Sequence, residues 1–189
     1  ATPLAATTPV PAATPSKVWT LKYDTYLNGT AAPAMTAKYF YDAVAEKTGG
    51  RIKMEYYYSQ ALHRTGEQSK AVRDGTSETA YHYFGYTPAL FPLITGLDNN
   101  FVAQSPDGMG KAAKALYNAY YPLRYELEVK NNAHLMYFIS MEPVSLITKK
   151  PIKTVEDLKG LKLRSVGVTA DTLKRLGAVP ASLLFTEAY

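Results

Sequence analysis

The chain has 189 residues, 47% apolar and 20% charged, a balance that argues against intrinsic disorder and allows one ordinary domain, or one domain with a piece of another. Its formal charge of +5 is spread among alternating acids and bases without a basic block, so no nucleic-acid partner is expected and small anions are favoured. The lack of cysteine removes disulfides, thiolate metal sites and cysteine nucleophiles, and no apolar run reaches the roughly eighteen residues that would span a membrane.

Residues 1–16 are mostly Ala, Thr and Pro and predict a flexible tail, with a start that suggests a processed chain whose signal peptide has been removed. Val18 to Tyr26 predicts a first strand with Trp19, Leu21 and Tyr23 on one face, and Asn28-Gly29 turns the chain. Thr30 to Lys47 predicts a helix, with Pro33 in its first turn and an apolar stripe of Ala37, Phe40, Tyr41 and Val44. Arg51 to Tyr58 alternates as a second strand, so strand, helix and strand form a parallel βαβ unit. Thr65 to Asp74 is a short helix, and Thr79 to Phe84 a strand that ends at Gly85 with the aromatic tip Tyr81-His82-Tyr83-Phe84.

Ser105-Pro106-Asp107 opens a helix towards Lys130 that Pro122 should kink or divide. Ala133 to Ile139 and Val144 to Thr148 predict two strands flanking Glu142-Pro143, a crossing point between lobes. Thr154 to Asp157 resembles a capping box before a short helix that Gly160 ends. Between Gly160 and Gly167, Leu161 and Leu163 alternate with Lys162 as a short strand with Arg164 at its carboxyl end, Thr169 caps a helix carrying Leu173 and Leu176, and Val179 to Leu184 is a further strand. Thr186 to Tyr189 reads as the first turn of another helix, so the chain is expected to stop inside a structural unit.

Arg164 carries the sharpest chemistry. It lies just past the carboxyl end of a strand, where open α/β sheets hold ligands, and its planar fork suits a carboxylate. A surface arginine paired with Glu187 or Asp171 would have the same local sequence. Tyr26, Tyr81, Tyr83 and Phe84 could wall a ligand pocket with phenols as orienting donors, or could simply pack a core; Tyr56 and Tyr58 favour packing. His63, His82 and His134 lack the spacing of a zinc site, no metal or cofactor is expected, and no nucleophile elbow, phosphate loop or dinucleotide fingerprint is present. Nothing points to an enzyme.

Several passages together resemble one family, the periplasmic solute-binding subunits of tripartite ATP-independent (TRAP) transporters. They are Glu46-Lys47-Thr48-Gly49-Gly50-Arg51-Ile52, Ala71-Val72-Arg73-Asp74-Gly75-Thr76, and the run from Gly85 through Pro88 to Leu93. The longest match, Lys150 to Arg164, continues into Leu176-Gly177-Ala178 and Phe185 to Tyr189. The resemblance implies a two-lobed α/β periplasmic binding protein (type II-like) with mixed, largely parallel sheets. The first lobe would occupy 17–139, and 140–189 would begin an incomplete second lobe.

It also implies an exported receptor that captures a small organic acid for a TRAP membrane permease, with Arg164 on the carboxylate and Tyr26, Tyr83 and Phe185 lining the cleft. A second cleft arginine common in the family is absent near Glu142-Pro143, which disfavours receptors of the arginine-paired type and suggests a monocarboxylate or aromatic acid. The rival reading is a structural or assembly protein that engages neighbours through exposed sheet edges.

Overall fold

The first sheet is organised around β1 (Trp19–Asp24), its central strand, in a computed structural model that describes residues 17–98, 105–140 and 145–183. β2 (Ile52–Tyr57) runs parallel to it over the full six-residue register from Trp19 opposite Ile52 to Asp24 opposite Tyr57. The crossover is α1 (Ala32–Lys47), with Pro33 in its first turn as the sequence predicts. Parallel neighbours require such a crossover, and the alternating pattern decides which face it covers. Tyr23 turns inward beneath Ala37 and Tyr41, and Phe40, Met54, Tyr56, Tyr58, Tyr81 and Tyr137 pack around them. Tyr56 and Tyr58 are thus packing residues, their rings stacked 5.9 Å apart. Trp19, on the same side of β1, lies at the open start of the strand and stays exposed.

Further along, α2 (Gln68–Arg73) leads to β3 (Thr79–Ala80), which pairs in parallel with the end of β1. The predicted strand through Phe84 stops early because β1 itself stops: the Tyr81 amide donates to the Asp24 carbonyl at 3.0 Å, and no β1 strand residue remains to pair with. Phe84–Tyr86 is instead a 3-10 turn, followed by a second at Ile94–Asp98.

α3 (Pro106–Ala119) begins as its sequence requires, with the Ser105 hydroxyl accepting from the Gly108 amide at 3.1 Å. Pro122 divides the long helix: Tyr120 is extended, α4 (Tyr121–Arg124) restarts, and a π-helical turn continues through Tyr125–Lys130. A second core of Phe91, Ile94, Leu123 and Leu127 forms here, with Phe84, Leu97, Tyr117, Leu135 and Phe138 against it.

Strands predicted over 133–139 and 144–148 are not found among the described residues of those spans. Their apolar residues pack instead: Tyr137 enters the α1 core, while Leu135 and Phe138 enter the second. Hydrophobic alternation reports burial, and a ladder also needs an unpaired edge in register.

β4 (Lys162–Arg164), α5 (Gly167–Arg175) and β5 (Val179–Ala181) make a second parallel unit over a core of Leu158, Leu163, Leu173 and Ala178. The Asp157 carboxylate accepts from the Lys153 and Thr154 amides, both at 2.9 Å, as the capping pattern anticipates. Thr169 is not the cap of α5: the helix starts two residues earlier, flanked by Val166 with no side-chain cap. The tail at 1–16, the predicted crossing at Glu142-Pro143, and the terminal turn with Phe185 lie outside the described residues.

Candidate functional site

The ends of β1, β3 and β4 converge on one aromatic cluster. Tyr26, two residues past β1 and buried, meets the Tyr81 ring at 5.8 Å and the Tyr86 ring edge-on at 5.5 Å. Tyr83 lies edge-on to Tyr86 at 5.3 Å. Arg164, half-buried at the end of β4, donates from Nε to the Leu183 carbonyl at 3.0 Å and approaches the Tyr86 hydroxyl with Nη2 at 3.5 Å. Four of the sequence-predicted residues, Tyr26, Tyr81, Tyr83 and Arg164, therefore share one region through a fifth residue, Tyr86.

Phe84 belongs elsewhere. Its ring packs on Phe91 at 4.9 Å and on His82 at 5.5 Å, within the second core, so it supports the turn. Tyr86 lies past Gly85, outside the aromatic tip Tyr81–Phe84, and the sequence offered it only within the run from Gly85 to Leu93; the 3-10 turn after Tyr83 swings it back towards Tyr26.

Two glycines make this arrangement possible. A Cβ added to Gly85 would stand 2.5 Å from the Tyr83 ring, and one added to Gly167 would stand 3.3 Å from the Gly85 Cα. Gly167 also takes a φ of +59°, a region costly for L side chains. The start of α5 thus rests directly on the backbone of the aromatic turn.

Burial raises the pKa of the tyrosines in the cluster: Tyr83 is pushed up to about 12, and Tyr26 and Tyr81 also rise. Each is therefore a neutral phenol, able to donate, at physiological pH. Asp98 ends the second 3-10 turn at the rim, where its carboxylate interacts with Tyr83; partial burial raises its pKa and the phenol offsets part of that rise.

His82 lies beneath the turn, with Nε2 2.7 Å from the Thr87 hydroxyl and Nδ1 buried without a partner. Burial pushes its pKa down to about 4. A lowered folded-state value means that His82 favours folding fully above its unfolded pKa of about 6.5, and that this contribution is lost as pH falls towards 4. At pH 5 the cost is about 2 kcal/mol. Denaturant melts at pH 7.5 and pH 5 should show it, and His82→Phe should flatten that part of the pH dependence; an unchanged slope in the variant would assign the effect elsewhere.

Among the described residues, no group of three His, Asp or Glu side chains is arranged to hold a metal ion, and no helix is long and apolar enough to cross a membrane.

Parallel strands whose carboxyl ends meet around an aromatic cluster and an arginine are the architecture of an α/β ligand-binding protein. Residues 30–189 match the family model described as bacterial extracellular solute-binding protein, family 7, and the chain belongs to that family. It is 26% identical over 171 residues to the 2,3-diketo-L-gulonate-binding periplasmic protein YiaO of Escherichia coli K12, covering 89% of this chain and 52% of that protein.

Among solved structures, the TRAP solute-binding protein of Rhodoferax ferrireducens T118, in complex with copurified benzoate, aligns with a TM-score of 0.77 at 24% identity, over 88% of this chain and 51% of that one. A Bordetella pertussis extracytoplasmic solute receptor binding pyroglutamic acid aligns at 0.78 and 21%, over 90% and 56%. These likenesses establish the fold expected from the sequence, that of the two-lobed TRAP binding proteins. The chain spans about half the length of the curated relatives it matches.

Proposed function

We propose that this chain carries the ligand-gripping part of a periplasmic receptor that captures a small organic acid and hands it to a TRAP membrane permease. The observation that carries this reading is the placement of Arg164 against the Tyr86 hydroxyl, beside the rings of Tyr26, Tyr81 and Tyr83. A guanidinium at a strand's carboxyl end supplies charge-assisted donors for a carboxylate. The start of α5, without a capping side chain, adds backbone amides of the same polarity three residues later. The phenols supply donors and the rings an apolar wall for the body of the acid. In this reading the β1–β3 sheet with α1 belongs to the first lobe and the β4–β5 unit to the second, and the acid is held where the tyrosines of one meet Arg164 of the other. The work is binding, and no bond is made or broken.

Isothermal titration with benzoate and phenylacetate tests the proposal. Arg164→Ala should weaken binding about tenfold to a hundredfold, the range for hydrogen bonds to a charged group. Arg164→Lys should recover only part of it, because a point charge lacks the fork. Equal affinities for wild type and Arg164→Ala would remove Arg164 from the site, and no heat with any carboxylate would overturn the receptor reading.

A further inference from the structure

Asp98 is not explained by a site built only to grip a carboxylate. It ends the Ile94–Asp98 turn, which packs against both the Phe84–Tyr86 turn and α5, the helix that follows Arg164. The beginning of this turn is fixed from below: the Thr95 hydroxyl donates to the Phe91 carbonyl at 2.8 Å, and the buried Glu126 carboxylate accepts from the Leu93 and Ile94 amides. Asp98 is thereby presented at the rim of the tyrosine cluster. It acts on Tyr83 and, through space, on Tyr81. Arg164 reaches the same cluster through Tyr86, whose ring touches Tyr83. One wall of rings thus joins a guanidinium to a carboxylate.

We infer that Asp98 is a second, selective pole of this pocket, favouring monocarboxylates that carry a hydrogen-bond donor, a hydroxyl or a protonated amine, remote from the carboxylate. The inference rests on the receptor reading above and deepens it. An ionised carboxylate accepts and cannot donate, so it pairs with a donor on the ligand and repels a second carboxylate at the same place. Asp98 is exposed at the rim, so water serves it when the ligand has no donor. The preference is therefore graded rather than absolute, about tenfold for a hydrogen bond to a charged group.

The test is a titration series on the protein with four probes that differ at one substituent. These are phenylacetate, meta-hydroxyphenylacetate, meta-aminomethylphenylacetate and meta-carboxymethylphenylacetate. Wild type should bind the hydroxyl and amine probes about tenfold tighter than phenylacetate, and the dicarboxylate more weakly.

Asp98→Ala should bring all four probes to within about threefold of one another. Asp98→Asn, a near-isostere that guards against a folding artefact, should lose the amine preference and the rejection of the dicarboxylate but keep part of the hydroxyl preference. A wild-type preference that survives Asp98→Ala overturns the inference. So does an equal loss for every probe, which would make Asp98 a support for Tyr83. In either failure wild type still binds phenylacetate in an Arg164-dependent way, whereas failure of the receptor reading abolishes the heat with all four probes in wild type.

Discussion

Replacing His63 with alanine should cost about 3 kcal/mol or more of folding stability, the range for stripping a buried charge of its partner. His63 Nδ1 lies 2.9 Å from Oδ2 of Asp24, which is fully buried at the end of β1 with Oδ1 unpartnered. His63 Nε2 meets the Thr76 hydroxyl at 3.2 Å, so the ring ties the loop before α2 and the loop after it to the central strand. The loop is braced by Gln68, whose amide donates to the His63 and Arg64 carbonyls at 3.2 and 3.0 Å.

Burial raises the Asp24 pKa, and His63 offsets part of that rise. A raised folded-state value means the group favours the fold below its unfolded pKa and loses that contribution as pH rises through the folded one. At neutral pH the Asp24 charge is therefore a cost that His63 relieves. Adding Asp24→Asn to His63→Ala should restore most of the loss, and chemical denaturation measures both. A single-variant loss below about 1 kcal/mol would show that the pair contributes little.

Glu126→Ala should be nearly as damaging, by about 3 kcal/mol, for a different reason. Glu126 is 2% exposed, with its oxygens 3.0–3.2 Å from the Leu93 and Ile94 amides. Its removal leaves two backbone donors without acceptors, at about 1–3 kcal/mol for each that is buried. Hydrogen exchange at those two amides should accelerate together with the drop in melting temperature, and Glu126→Gln should retain part of the protection. Unchanged exchange in Glu126→Ala would show that another acceptor serves the turn. Because the same turn ends at Asp98, the substitution should also blunt discrimination among the titration probes.

The parts of this fold that were readable in the sequence are those set by local periodicity. The alternation in Trp19–Tyr23 and Ile52–Tyr58 and the stripe of α1 give the first βαβ unit, and Leu161 and Leu163 place Arg164 at a strand end. What periodicity does not carry is partnership. Tyr81 to Phe84 has the composition of a strand but outruns β1, and 133–139 has the alternation of a strand but serves two cores. The candidate site divides in the same way. Arg164, Tyr26, Tyr81 and Tyr83 were visible as residue types at strand ends, whereas Phe84, given the same role from the sequence, packs against the second core. Asp98 gave no signal, because its role comes from a turn held by Glu126, 28 positions further along the chain.

The contact between Gly85 and Gly167 sets a limit on how the proposed site could be re-engineered. Since the aromatic turn and the start of α5 meet backbone to backbone, a displacement of one is transmitted to the other without the slack of a rotatable side chain. Variation aimed at the proposed ligand preference therefore belongs at Tyr86 and Asp98. The two glycines act as a fixed bearing that any such library should leave untouched.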